Sequence, residues 1–142
     1  IIQSSREIPG RSPMFVIEGT PDTTDLIYLR VASDDPLQIS LMDILKVFWE
    51  CHDPTQGMRQ GNDIGTQYRS VCYCEDEETM AIIRASLEKY QSALAESNLG
   101  AITTELKTQQ EYFLAEDYHQ QYLDKNPNGY CGIGGTGCEF KM

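Results

Sequence analysis

The chain has 142 residues, enough for one domain, and its hydrophobic and charged fractions, 40% and 23%, are those of a globular protein. Its 22 acidic residues against 11 basic ones give a net charge of −11, which argues against a nucleic-acid partner or an anionic membrane surface, since both are gripped by Lys and Arg. The longest apolar stretch, Leu41 to Trp49, is broken by Asp43 and Lys46 and is far shorter than the roughly 18 residues that span a bilayer.

In chain order, residues 1–25 read as a flexible or atypical N-terminal arm, with a short apolar run at MFVI and a turn-like EGTPDTTD. LIYLRVA, residues 26–32, is mostly apolar and predicts a buried strand. Ser40 starts a helix: its hydroxyl suits the N-cap, and Asp43, three residues on, is placed to reach back to the cap. Leu41, Ile44, Leu45 and Phe48 fall on one face of that helix; Trp49 ends the pattern and Pro54 stops it. A polar loop dense in Gly, Asp and Arg follows, to about Gln67.

SVCYC, residues 70–74, alternates as a strand does. EDEE, residues 75–78, then puts carboxylates at a helix start, where the macrodipole favours them. Met80, Ile83, Leu87, Tyr90 and Leu94 recur at helical spacing and predict a core stripe, and Asn98 and Gly100 end the helix. AITTEL predicts a short strand and residues 115–123 a short helix. The Gly-rich tail, residues 127–142, has no periodicity and predicts a mobile segment. The order of elements implies an α+β two-layer sandwich, an antiparallel-leaning sheet with helices on one face.

Five cysteines, Cys51, Cys72, Cys74, Cys131 and Cys138, exclude a complete internal disulfide framework and favour a reducing compartment: the cytoplasm, with the mitochondrion as the alternative. Cys131 and Cys138 sit on a glycine-rich hinge, where a thiol is free to swing to a distant sulfur and pass a disulfide on. An exposed tail with incidental cysteines is the competing account. In the polar loop, Asp63 and Tyr68 offer a carboxylate and a neutral phenol to a small polar group. His52 follows a helix C-terminus, where the dipole favours its charged form. A network in which Asp and Arg side chains cap backbone amides is the alternative for this loop. Cys51, His52, Cys72, Cys74 and His119 match no common zinc spacing, so no metal is expected, and no nucleophile elbow is visible.

HDPTQGMRQGNDIGTQYRS, residues 52–70, resembles the signature loop of the A-type peptide methionine sulfoxide reductases. ITTEL, FLAEDYHQQYL and NPNGYCGIGGTG resemble later segments of that family, in the same order, so the likeness runs from about Leu37 to Gly137. The resemblance implies a domain over 26–126 on a ferredoxin-like core, with a recycling-cysteine tail over 127–142. It implies reduction of the S-epimer of methionine sulfoxide, free or in oxidised proteins, with no cofactor and with thioredoxin or dithiothreitol as external reductant. By motif, Tyr68 would hydrogen-bond the sulfoxide oxygen and Asp63 would hold the substrate backbone. Cys131 would be the first catalytic recycling cysteine and Cys138 the second.

The chain departs from the family pattern in lacking the GCFW nucleophile motif and the GYAGG-like and GHAE segments. The expected domain therefore lacks the family's first strand and helix. SREIPGRSP is similar to the arm that precedes the catalytic half in animal members, which implies a segment missing from inside the chain; simple truncation with unrelated sequence at the front is the alternative. The competing expectation is a catalytically inactive relative, truncated or a splice variant, that binds but does not reduce.

Overall fold

The computed structural model describes residues 40–110, 118, 125–129 and 134–141. The expected arm over 1–25, the strand over 26–32, most of the helix over 115–123, and Cys131 lie outside them, as does the matter of a first strand and helix.

Helix α1 (Leu41–Cys51) begins as its sequence demands. The Ser40 Oγ accepts from the Asp43 amide at 3.1 Å, and the Asp43 carboxylate accepts from the Ser40 amide at 3.0 Å. The helix buries Ile44, Leu45, Phe48 and also Trp49, which does not end the apolar pattern but is fully enclosed. Its indole N–H is satisfied by Ser86 Oγ at 2.9 Å, and that hydroxyl donates on to Ile83 O at 2.7 Å. A buried ring with a paired N–H pays no desolvation penalty for its nitrogen.

The loop after α1 holds a small antiparallel pair, β1 (Arg59–Gln60) and β2 (Asp63–Ile64), then a 3-10 turn at Thr66–Tyr68. Strand β3 (Val71–Cys74) leads into α2 (Glu77–Glu96), capped by Asp76, whose carboxylate accepts from the Thr79 amide at 2.7 Å. Met80, Ile83, Tyr90 and Leu94 are buried as the stripe predicts, and Leu87 is half-buried against them. The helix ends in a Schellman motif: Asn98 turns left-handed at φ 57°, Asn98 N bonds Ala95 O at 3.1 Å and Leu99 N bonds Leu94 O at 2.9 Å.

Strand β4 (Glu105–Thr108) starts four residues later than AITTEL suggests. The reason is that residues 102 and 103 are bonded elsewhere. Ile102 N donates to Gln91 Oε1 at 2.7 Å, and Thr103 N donates to Pro54 O at 2.8 Å. The expected antiparallel lean also fails for the longer ladder. β3 and β4 are parallel, Val71 opposite Glu105 and Cys74 opposite Thr108, because α2 carries the chain back before β4 begins. α2 lies on this ladder and α1 packs on α2, so the described fold is mixed α/β with two helices and two small sheets.

Among the described residues the core is Leu45, Phe48, Trp49, Ile83, Tyr90, Leu94 and Phe140. Trp49 and Tyr90 stack with centroids 5.8 Å apart, and Tyr90 and Phe140 stand 6.3 Å apart. Phe140 corrects the picture of a mobile tail, at least over 134–141. Its ring is 1% exposed, its amide donates to Glu50 Oε1 at 2.7 Å, and Lys46 Nζ donates to its carbonyl at 3.3 Å. Gly135 presses onto the end of α1: a Cβ there would overlap the Glu50 carbonyl oxygen. Burying one phenylalanine stabilises by roughly 1.5–3 kcal/mol, which offsets the entropy that the tail's glycines give up on docking.

Candidate functional site

The 52–70 loop is built from its ends inward. At its start, His52 is buried, with Nδ1 2.7 Å from Phe48 O and Nε2 2.7 Å from Ser70 Oγ. A carbonyl accepts only, so Nδ1 carries the proton, Nε2 accepts from Ser70, and Ser70 in turn accepts from Thr104 Oγ1 at 2.8 Å. Burial pushes the His52 pKa down to about 4, against the opposing bond to Phe48 O. The charged His52 expected from the helix dipole is therefore corrected: desolvation outweighs the dipole, and the ring is a neutral tie between α1 and β3.

Asp53 organises the first turn. It accepts from Thr55 N at 3.0 Å, Thr55 Oγ1 at 2.7 Å and Gln56 Nε2 at 2.9 Å. Burial acts to raise its pKa, but these bonds outweigh that and hold it below the ordinary carboxylate range. Gln60 pairs with the Asp53 backbone as a strand would, donating to its carbonyl and accepting from its amide, each at 3.1 Å. Gln56 Oε1 accepts from Gly61 N at 2.7 Å. The arginines do not cap amides, having no acceptor. Arg59 donates to Gly61 O at 2.6 and 3.0 Å, and Arg69 to Thr66 O at 2.8 Å.

Asp63 stands opposite Gln60 in the small hairpin, and Tyr68 closes the 3-10 turn five residues on, its ring against Gly65. Both are half-buried. Among the described residues neither the Asp63 carboxylate nor the Tyr68 hydroxyl has a hydrogen-bond partner, whereas His52, Asp53, Arg59 and Arg69 all have one.

Cys138 is not on this loop. Its Sγ donates to Ser97 Oγ at 3.2 Å, at the end of α2, and its carbonyl accepts from Tyr90 OH at 3.4 Å. The other described thiols are poorly placed for attack. Cys51 Sγ donates to Phe48 O at 3.3 Å. Cys72 is pushed up to about 12, first by burial and then by Cys74. Burial also raises Cys74. Among the described residues no group of three His, Cys, Asp or Glu is arranged to hold a metal, and no helix is long and apolar enough to cross a membrane.

Sequence reasoning missed a polar cluster around Glu105, which includes Arg69, the residue after Tyr68. Glu105 Oε1 accepts from Tyr73 OH at 2.5 Å, Lys107 Nζ at 3.2 Å and Arg69 Nη2 at 3.3 Å. The bond from Tyr73, with those from Lys107 and Arg69, holds Glu105 below its ordinary pKa despite burial; burial and Glu105 push Tyr73 up to about 12. The parallel register that unites these residues has no local signature, though a Glu and a Lys spaced by two on one strand was a legible hint.

The profile of the family "Peptide methionine sulfoxide reductase" matches residues 23–139. The chain belongs to that family. It is 59% identical over 103 residues to the peptide methionine sulfoxide reductase MsrA of Azotobacter vinelandii, covering 72% of this chain and 48% of that protein. The mitochondrial peptide methionine sulfoxide reductase of mouse is 57% identical over 107 residues, covering 75% and 46%. Methionine sulfoxide reductase A of Corynebacterium diphtheriae superposes with a TM-score of 0.63 at 38% identity, covering 83% of this chain and 64% of that one. Mxr1 of Saccharomyces cerevisiae in reduced form gives 0.60 at 35% identity, covering 66% and 50%. The chain spans about half the length of the curated relatives it matches.

Proposed function

We propose that the protein serves the reduction of methionine-S-sulfoxide, free or in oxidised proteins, to methionine by thiol chemistry. One observation carries this. Of the ionisable side chains in the loop, four are consumed in building it, and Asp63 and Tyr68 are left open to a ligand. Tyr68 donates its phenol proton to the sulfoxide oxygen, and Asp63 accepts from the polar groups of the substrate backbone. In the overall balance two thiols become a disulfide while the sulfoxide becomes a sulfide and its oxygen leaves as water. This reading demands a thiolate beside Asp63 and Tyr68, which attacks the sulfoxide sulfur; methionine departs, and the sulfenic acid that remains is captured by Cys131 with loss of water. Cys138 takes over the bridge, and thioredoxin, or dithiothreitol in vitro, reduces it. The cytoplasm or the mitochondrion supplies the reducing setting. No cofactor takes part.

A second reading is favoured by the thiols. No GCFW motif is present, Cys72 is buried and pushed to about 12, and Cys51 faces a helix carbonyl. On that reading the chain binds the sulfoxide without reducing it. Assay with the S-epimer of methyl p-tolyl sulfoxide and dithiothreitol, with the R-epimer as control, separates the two. S-selective turnover supports reduction; S-selective binding without turnover supports the second reading; neither turnover nor binding overturns both.

A further inference from the structure

The turn that carries Tyr68 is three residues long and is closed by two backbone bonds, Tyr68 N to Gly65 O at 3.1 Å and Arg69 N to Thr66 O at 3.4 Å. So short a 3-10 turn has poor hydrogen-bond geometry and little rigidity of its own. Arg69 supplies what it lacks. Its Nη1 reaches back across the turn to Thr66 O at 2.8 Å. Its Nη2 points the other way, to Glu105 Oε1 at 3.3 Å and Tyr73 OH at 3.4 Å. Both anchors stand on the parallel ladder, Tyr73 in β3 and Glu105 at the start of β4. Glu105 is itself fixed, by the Tyr73 and Lys107 donors and by its own amide, which bonds Ser70 O at 2.9 Å.

We infer that Arg69 is a positioning residue for the sulfoxide site: its forked guanidinium ties the Thr66–Tyr68 turn to Glu105 on the β3–β4 ladder and so fixes where the Tyr68 hydroxyl points. This rests on Tyr68 as the donor to the sulfoxide oxygen. The task needs two donor nitrogens held at a rigid angle. A lysine keeps the charge beside Glu105 but offers one compact ammonium, which cannot serve the turn and the ladder together. Arg69→Lys therefore separates geometry from charge.

The experiment uses the full chain with labelled tyrosines, followed by NMR, alone and titrated with the S- and R-epimers of N-acetylmethionine sulfoxide methylamide. In Arg69→Lys the order parameter at Tyr68 is expected to fall from the rigid range, about 0.85, toward about 0.6, while Tyr73 and the core tyrosine Tyr90 stay rigid. Affinity for the S-epimer falls about tenfold, as does that of Tyr68→Phe, and the double variant loses no more than either alone, the mark of residues acting as one unit. Additive losses, equal losses for both epimers, or wild-type affinity in Arg69→Lys overturn the inference. If the wild-type chain binds neither epimer, the sulfoxide reading fails, and Tyr68 order without ligand decides alone: unchanged order in Arg69→Lys overturns the role of Arg69, and lowered order upholds it. If Arg69→Lys does not fold, Glu105→Gln replaces it, leaving the guanidinium and its Thr66 bond but weakening the far anchor; a loss of about threefold is then expected, and none overturns the inference.

Discussion

The 52–70 loop and the 134–141 segment are both irregular and both rich in glycine, yet they are held by different forces. The loop is a polar lattice. Asp53, Gln56, Gln60 and Thr103 close it through side-chain bonds to backbone, and two large apolar side chains, Met58 and Ile64, remain exposed on it. The C-terminal segment also has polar ties, from Thr136 and Cys138 to Tyr90, from Cys138 to Ser97, and from Lys46 and Glu50 to the Phe140 carbonyl and amide, but its anchor is a ring in the core and a close backbone contact at Gly135. Hydrogen bonds fix direction but each adds only about 1 kcal/mol net. Apolar burial adds more and fixes little direction. The loop is thus fixed in direction by polar bonds, and the segment joins elements through its ring.

That contrast predicts a ranking. Phe140→Ala should cost about 3–5 kcal/mol, seen in urea unfolding, because the cavity opens against Tyr90 in the middle of the core. A loss below about 1 kcal/mol would mean that the segment contributes nothing to the core and that the contrast is false. Next is acid. His52 is depressed in the folded state, so the unfolded chain binds the extra proton between its ordinary value of 6.5 and about 4. The contribution of His52 is full above pH 6.5, falls as pH drops through that window, and is exhausted below about 4, a loss on the order of 3 kcal/mol; the depressed carboxylates Asp53 and Glu105 add a further loss below their ordinary range. His52→Gln should flatten that part of the pH profile, and a profile that keeps its slope would place the titration elsewhere.

Gly135→Ala should cost roughly 1–3 kcal/mol, since its methyl meets backbone and not a movable side chain. Asp53→Ala should cost about 1–2 kcal/mol and raise amide exchange at Thr55 and Gly61, with α2 unaffected. Exchange that rises equally in α2 would erase the difference between the two regions. Smallest of all, Asp63→Asn and Tyr68→Phe should change stability by less than about 0.5 kcal/mol while weakening sulfoxide binding, because their polar groups support nothing in the fold.

Local chemistry made much of this readable in advance. The Ser40–Asp43 box, the Asp76 cap region and the Met80–Leu94 stripe all follow from spacings of three or four. What escaped was set by distant partners. Trp49 belongs to the core because Ser86, on another helix, receives its N–H. β4 starts late because Pro54 takes the Thr103 amide. His52 is neutral because the fold buries it, and that desolvation outweighs the bond to Phe48 O. The tail's composition, five glycines to one phenylalanine, points to mobility, whereas in the folded chain the single ring decides over 134–141.

Phe140 also has a place in time. Among the described residues it stands in a core whose other members lie between Leu45 and Leu94, so vectorial synthesis delivers it long after them. Until it arrives, Trp49 and Tyr90 form an incomplete aromatic surface, and this is when a nascent chain would most need protection from its neighbours.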